Sequence, residues 1–449
     1  MKLIYGIEDK PKFSKTLVFA FQQMIAIMAA TLLVPLLVTS YGLQADAAAA
    51  LFGAGIGTIV YLFCTKRRSP VFLGSSFAFL GSMSAAFAGA ATAEAGFAGI
   101  IIGAAFAGLV YVLIAIIVKF AGVRWINKLM PAVIIGPTVA IIGLSLAGNA
   151  VSDAISIAKT DGGVFQMNLH GWLCLICALV TLAVVTVCSV YGKKMAKLIP
   201  FVIGIIAGYL VATVFTVIGN ATGNEAMVII DFSRFANMQW YPDFTFIKAA
   251  KGLSEINGQY IATIAVAYVP VAFVVFAEHI ADHKNLSSII GHELLEEPGL
   301  HRTLLGDGVG SIVGAIFGGC PNTTYGESVG CVAITGNASV YTIFTTAILA
   351  IIASFFAPFV TFLATIPSCV MGGVCITLYG FIAVSGLKMI QKIDLGDNHN
   401  LFVVSVILIT GIGGMSIGIG PVTITEVASA LILGILTNLL LSGKKKDEK

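Results

Sequence analysis

The sequence predicts an all-α polytopic membrane protein whose 14 transmembrane segments form a 7+7 inverted repeat, with short extended stretches in segments 3 and 10. Three observations predict it. Of 449 residues, 58% are apolar and only 10% charged, whereas a soluble globular protein carries roughly 25% charged residues. Most of the surface therefore faces something other than water. The apolar residues gather into fourteen runs of about the length that a bilayer asks of a helix, roughly 20 residues. Finally, a glycine-rich motif recurs seven runs after its first appearance. The same composition excludes a disordered chain, a fibre, a nucleic-acid binder and any large soluble domain.

The runs fall at 15–39, 46–64, 70–84, 94–118, 131–149, 171–190, 200–218, 260–284, 301–318, 321–336, 340–364, 367–387, 399–413 and 421–441. The first follows the polar stretch Met1–Lys15 and has no small-residue cleavage site, so no cleavable signal peptide is expected. The third and tenth are too short and too rich in Gly, Ser and Thr for ordinary spanning helices.

Cytoplasmic loops hold an excess of Lys and Arg. With the N-terminus placed inside, Lys2, Lys10, Lys12, Lys15, Lys66, Arg67, Arg68, Lys119, Arg124, Lys128, Lys193, Lys194, Lys197, Lys284, Arg302, Lys388, Lys392, Lys444, Lys445, Lys446 and Lys449 all fall inside; only Lys159, Arg234, Lys248 and Lys251 fall outside. One missed span would scramble this division, so it supports fourteen spans with both termini cytoplasmic. Trp125, Trp172 and Trp240 sit at predicted ends or in loops, where interfacial rings belong. The long connection 219–259 contains Pro242 and a piece, Phe244–Lys251, expected to form a short helix. The eight cysteines lie in or at the edge of apolar runs and read as buried small hydrophobes. Cys174-x-x-Cys177 has metal-site spacing but no companion ligands, and neither metal nor cofactor is expected.

The repeat is explicit. Leu51-Phe-Gly-Ala-Gly-Ile-Gly-Thr-Ile-Val60 lies on Leu304-Leu-Gly-Asp-Gly-Val-Gly-Ser-Ile-Val313 with Leu51/Leu304, Gly53/Gly306, Gly55/Gly308, Gly57/Gly310, Ile59/Ile312 and Val60/Val313 identical. Pro70 to Gly74 corresponds to Pro321 to Gly326, and Pro131-Ala-Val-Ile-Ile-Gly136 to Pro367-Ser-Cys-Val-Met-Gly372. An odd repeat unit enters the membrane upside down the second time. Inverted repeats with interrupted segments at matching places mark secondary transporters that bind substrate near the midplane. Val71-Phe-Leu-Gly-Ser-Ser-Phe77 and Asn322-Thr-Thr-Tyr-Gly-Glu327 each read as an extended stretch leading into a half-helix, whose first N–H groups face a ligand.

An ionisable side chain within a span is functional by default. Glu327 lies in the tenth run with no Lys or Arg beside it, and Glu278 follows the apolar run Ile261–Ala277. Asn285–Gly291 is expected to continue that helix beyond Glu278. Asp282 stands four residues on, on the same helix face. Two carboxylates this close and away from water repel when both are charged, which suits a group that carries a proton. Asp307 and Glu426 read as caps or loop contacts, and His279, His283, His292 and His301 as loop histidines that make no convincing enzyme constellation.

These stretches resemble the nucleobase–ascorbate transporters (nucleobase:cation symporter-2), and within that family the bacterial uracil-transporting branch. The resemblance lies in Ala30-Thr-Leu-Leu-Val-Pro35, Leu73-Gly-Ser-Ser-Phe-Ala-Phe79, Ala277-Glu-His-Ile280, Pro298-Gly-Leu-His-Arg302, Pro321-Asn-Thr-Thr-Tyr-Gly-Glu327 and Met371-Gly-Gly…Leu-Tyr-Gly380, in family order over nearly the whole chain. It implies a core domain (1–120 and 259–365) and a gate domain (121–258 and 366–443), with a cytoplasmic tail at 444–449. It also implies import of uracil by proton symport in the cell membrane, by movement of core against gate, and a homodimer. Carried over by position, substrate contacts fall on Phe77, Glu278, Tyr325, Gly326 and Glu327, with Ala30 and Tyr379 lining the same pocket. Proton coupling falls on Glu278, Asp282 and Glu327. Relatives often carry His where this chain has Asp282, Gly where it has Ala281, and Gln-His where it has Gln22-Gln23. A purine permease of the same family is the alternative. An anion carrier of the same fold fits less well, because paired carboxylates repel an anion.

Overall fold

A computed structural model describes residues 3–40, 45–122, 131–160, 163–193, 195–419 and 422–442 of the chain. Lys2, Arg124, Trp125, Lys128, Lys194 and the tail residues Lys444, Lys445, Lys446 and Lys449 lie outside the described residues, so the part of the charge count that rests on them stays an expectation. The chain is mostly helical. It forms two units, one of Met1–Ile142, Tyr241–Phe355 and Val384–Lys449, the other of Gly143–Trp240 and Phe356–Ala383.

The first unit opens with α1 (Phe13–Ser40) and α2 (Ala47–Cys64), then strand β1 (Leu73–Ser75), a single tight turn Phe77–Phe79 running into α3 (Leu80–Ala88), and α4 (Ala93–Ala121). Helix α5 (Ala132–Ser145) leads out of it. After the second unit's stretch come α9 (Thr245–Gly252), α10 (Gly258–Ile290), α11 (Leu300–Gly318), β2 (Asn322–Thr324), α12 (Gly326–Thr335) and α13 (Val340–Ser354). The unit ends with α16 (Asn398–Ile412), the strands β3 (Ile417–Ile419) and β4 (Val422–Ile424), and α17 (Glu426–Ser442). The second unit holds α6 (Ala147–Ile155), α7 (Leu169–Tyr191), α8 (Pro200–Thr222), α14 (Ala357–Ala364) and most of α15 (Ser368–Ile390).

Side-chain caps fix where several of these helices begin. Asp46 accepts from the N–H of Ala48 at 2.8 Å, Thr92 from Ala95 at 3.2 Å, Asn168 from Gly171 at 2.9 Å and Asn257 from Tyr260 at 2.8 Å. Each supplies a partner for an N–H that has none inside its helix. Pro200 opens α8, where a missing N–H costs nothing. Among the described residues, eight helices are long and apolar enough to cross a membrane; α13 with α14, taken as one broken span, makes nine. Along α4, Leu109, Leu113 and Ile116 are each about half exposed. That i, i+4, i+7 stripe is apolar outward, as a lipid-facing surface must be. The short helix expected over Phe244–Lys251 is α9, which packs on α4: the backbone at Gly252 lies against Glu94 and Ala95 so closely that a Cβ would clash.

Within the first unit the repeat is visible as local symmetry. Helices α2 and α11 cross with the matched glycines Gly57 and Gly310 face to face. A Cβ on either would sit 2.8 Å from the other's carbonyl oxygen. Beside that crossing β1 pairs antiparallel with β2, Leu73 opposite Thr324, Gly74 opposite Thr323 and Ser75 opposite Asn322. The two extended stretches expected from the sequence are thus each other's hydrogen-bond partners. That pairing is how non-helical backbone is satisfied at membrane depth.

In the second unit α7 packs on α8, with Thr181 against Gly208, and Tyr209 Oη lies 2.9 Å from Thr365 Oγ1. Cys174 and Cys177 are buried in α7, and Cys174 Sγ lies 3.4 Å from His170 Nε2. Trp172 and Trp240 are both exposed.

Candidate functional site

The site residues of the first unit are assembled around the β1–β2 pair. Thr58 on α2 brackets the start of β1: its Oγ1 accepts from Leu73 N at 2.9 Å and donates to Leu73 O at 3.2 Å. At the other end Ser76 N donates to Pro321 O at 2.9 Å. Gly74 is needed where it stands, because a Cβ there would overlap the ring of Tyr325 and lie 2.7 Å from Thr31 Oγ1. Tyr325 is buried and donates its hydroxyl to Ser75 O at 2.6 Å, so the residue after β2 ties back to the end of β1.

Each strand hands over to a helix whose first turn has no side-chain cap. Ser76 precedes the Phe77–Phe79 turn and Tyr325 precedes α12, and neither side chain bonds the N–H groups that follow. Both first turns thus present the positive end of a helix dipole beside the strand pair. Gly326 and Glu327 are the first two residues of α12; Gly326 is exposed and Glu327 half-buried. Phe77 is half-buried at the start of its turn, while Phe79 stacks on Tyr268 of α10 with ring centroids 5.5 Å apart.

Helix α10 brings the acids. It runs unbroken through Glu278 and Asp282 to Ile290 and stops at Gly291, whose φ of +69° is the left-handed conformation that ends helices. The continuation expected over Asn285–Gly291 is therefore present. Glu278 and Asp282 are half-buried one turn apart, and Asp282 Oδ2 accepts from Thr324 Oγ1 at 2.8 Å. Asp282 Oδ1 lies about 4 Å from where a Cβ of Gly326 would stand. Glu327 and Asp307 are close enough to repel a charged Glu278. Three carboxylates thus share one end of the strand pair, facing two uncapped helix starts. Among the described residues of the two broken segments there is no Lys or Arg. Ala30 is buried on α1, next to the Thr31 that lies against Gly74. Tyr379 is buried on α15, in the second unit.

Several participants were not legible beforehand. Gln23 of α1 donates through Nε2 to Ser328 Oγ at 2.7 Å, and that same oxygen accepts from Phe72 N at 3.2 Å, so one hydroxyl ties α1 to both broken segments. Ser328 carried no signal beyond its polarity, and Thr324 stood only within the stretch Asn322–Glu327 with no role of its own. Two expectations are corrected. Asp307 is no cap: it is fully buried within α11, with Oδ2 2.7 Å from His279 Nδ1, while its Oδ1 has no hydrogen-bond partner among the described residues. His279 and His283 are not in a loop, because α10 continues past them and turns both into the protein, where they are fully buried. Glu426, by contrast, begins α17 and accepts from Ser416 Oγ at 3.4 Å, a loop contact as expected.

The comparisons agree with a transport fold. The profile described as "Permease family" (Xan_ur_permease) matches residues 14–419. A uracil permease of Bacillus caldolyticus is 39% identical over 448 residues, covering 99% of this chain and 96% of that one. One of Bacillus subtilis strain 168 is 37% identical over 451 residues, with 100% and 97% covered, and one of Escherichia coli strain K12 is 33% identical over 438 residues, with 97% and 93% covered. Among solved structures, the murine Solute Carrier 26 family member A9 anion transporter in its inward-facing state gives a TM-score of 0.69 at 11% identity, over 97% of this chain and 70% of that one. The transmembrane domain of the cyanobacterium bicarbonate transporter BicA gives 0.61 at 16% identity, over 97% and 100%. At such identities those two likenesses concern the fold alone. With a profile and full-length relatives of this kind, the chain belongs to the Permease family and is a multi-pass membrane transporter, not an enzyme.

Proposed function

We propose that this permease imports uracil by proton symport. The observation that carries the reading is the placement of Glu278, Asp282 and Glu327 around one end of the β1–β2 pair, beside two uncapped helix starts. Uracil is a small, flat, neutral ring whose edge alternates N–H donors with carbonyl acceptors. Carboxylates at 278 and 327 accept from its N–H groups, the backbone N–H of Gly326 at the start of α12 donates to a carbonyl, and Phe77 offers a ring face for stacking. Tyr325, Gly326 and Ala30 shape the same hollow; Tyr379 is carried on the resemblance alone. The names of the full-length relatives support the choice of base. A proton held by Glu278, Asp282 or Glu327 relieves the repulsion among them, and its release on the far side couples the cycle.

The 7+7 arrangement of fourteen spans, with both termini cytoplasmic in the cell membrane, is part of the proposal. The Gly57–Gly310 crossing and the β1–β2 pair support it as remnants of the two-fold relation. So is the core (1–120, 259–365) moving against the gate (121–258, 366–443) in a homodimer. The two solved anion transporters share the fold, but three carboxylates and no cation at the strand pair oppose an anionic cargo. Labelled-uracil uptake by cells that lack their own carrier, with unlabelled uracil, xanthine, uric acid and bicarbonate as competitors, tests the assignment. Uracil alone should compete; competition by xanthine would move the chain to purines, and by bicarbonate to anions.

A further inference from the structure

On the flank of α10 next to the acids runs a buried polar chain that the binding site does not use. His279 and His283 stack with ring centroids 4.0 Å apart. His283 Nδ1 lies 2.8 Å from the backbone oxygen of His279, an acceptor only, so Nδ1 carries a hydrogen in every state. That leaves Nε2 as the variable atom. It lies 2.7 Å from Tyr61 Oη, which in turn lies 2.7 Å from Ser69 Oγ.

The Tyr61 hydroxyl has one hydrogen and two neighbours that can take it. With His283 neutral, Nε2 accepts from Tyr61 and Tyr61 accepts from Ser69. With His283 protonated, Nε2 donates to Tyr61, Tyr61 donates to Ser69, and every bond survives with its direction reversed. The ring can therefore gain or lose a proton by rotation of two hydroxyls, with no heavy atom displaced. All three residues are fully buried, yet Ser69 follows Arg68, whose side chain is 45% exposed and pairs with the half-exposed Glu297. The charged and titratable groups facing this chain are Tyr61 and Cys64 on α2, Tyr111 on α4, Glu278, His279 and Asp282 on α10, and Arg302 and Asp307 on α11. Asp282 and Asp307 act on Tyr61 in the middle of this chain, while Arg302 reaches toward Cys64 O at 3.5 Å rather than the histidines and Arg68 is paired with Glu297. A proton on His283 is thus placed where it offsets carboxylate charge.

We propose that His283–Tyr61–Ser69 is a proton-exchange branch of the transport site. His283 holds the proton that balances Asp282 and Glu278, and the two hydroxyls pass it between the ring and water at the Arg68 end. In the inward step a hydronium ion at the Arg68 end gives a proton to Ser69 and is left as water, Ser69 gives its own proton to Tyr61, and Tyr61 gives its own to Nε2; release runs the same transfers backwards. His283 is here a positioning residue, since it touches the acids' charge and not the substrate.

The proposal rests on the proton-symport reading, and one experiment separates the two. In proteoliposomes loaded with a pH-sensitive dye, uracil uptake and internal acidification are followed together, alongside counterflow, which exchanges labelled for unlabelled uracil without net proton movement. If the wild-type protein moves uracil with no acidification, the symport reading itself is wrong. Where acidification occurs, Tyr61→Phe with Ser69→Ala should lower gradient-driven accumulation and acidification at least about tenfold, a modest part of what an aligned proton donor contributes, with counterflow unchanged. Tyr61→Phe alone should be milder, because Ser69 Oγ and His283 Nε2 remain 3.4 Å apart. Full accumulation in the double variant would overturn the proposal. So would equal loss of counterflow, since the hydroxyls would then serve only the fold.

Discussion

Asp282, on the long helix α10, accepts the hydroxyl proton of Thr324, the last residue of β2, at 2.8 Å. That bond joins the helix bearing two acids to the strand leading into the third, so the groups proposed to bind substrate, from distant parts of the sequence, hold one geometry. Thr324→Ala removes the donor and leaves Asp282 free to turn. A hydrogen bond to a charged group is worth about 1.5–3 kcal/mol, so uracil affinity measured by calorimetry on purified protein should fall at least several-fold. Thr324→Ser should restore most of it. An alanine variant of unchanged affinity would show that the tie does not organise the site.

Asp282→Asn keeps an acceptor for Thr324 but removes the exchangeable proton. Counterflow of uracil is expected to continue, while accumulation driven by an imposed pH gradient drops. Gradient-driven uptake at the wild-type rate would take Asp282 out of the coupling set.

Gly57 and Gly310 cross with no room for a methyl group, each Cβ position lying 2.8 Å from the opposite carbonyl oxygen. Alanine at either position must push α2 and α11 apart, at about 1–3 kcal/mol as overpacking usually costs. Once the helices have separated, the second alanine should add little. The double variant should therefore melt close to either single variant, and additive losses would place the two strains at separate contacts.

The buried pair of His279 with Asp307 gives a different pattern. Asp307→Asn leaves an oxygen facing His279 Nδ1 and should melt near the wild type. Asp307→Leu leaves that ring nitrogen without a partner, at about 1–3 kcal/mol, and thermal unfolding in detergent should show a clear drop. Equal melting of all three proteins would mean that the 2.7 Å contact contributes nothing to the fold.

What could be read without coordinates divides along a physical line. The mostly helical, apolar character, the two extended stretches and the Glu278/Asp282 face follow from local composition and helical spacing; of the fourteen runs read as spans, eight or nine are helices long and apolar enough to cross a membrane among the described residues. The glycine repeat marked two matched runs, and the structure adds that they meet, Gly57 facing Gly310 across α2 and α11. Contacts between residues far apart in sequence left no such trace. Gln23 and Ser328 are separated by 305 positions, and nothing in either neighbourhood announces the other. Asp307 read as a cap because it stands near the start of a run; only the fold shows His279 waiting opposite. The histidines were misplaced because Asp282, His283 and Lys284 look like the end of a span, whereas helix α10 carries its buried face one turn further.

The most direct measurement is gradient-driven uptake of labelled uracil into proteoliposomes by the wild-type protein, Glu278→Gln and Glu327→Gln. Each glutamine keeps size and hydrogen-bonding capacity but loses the charge that accepts from the ring's N–H groups. The wild type should accumulate uracil when the interior is alkaline, and both variants should fall at least about tenfold, as the loss of a charge-assisted bond requires. Uptake by either variant at the wild-type level would contradict the claim that these two acids hold the substrate.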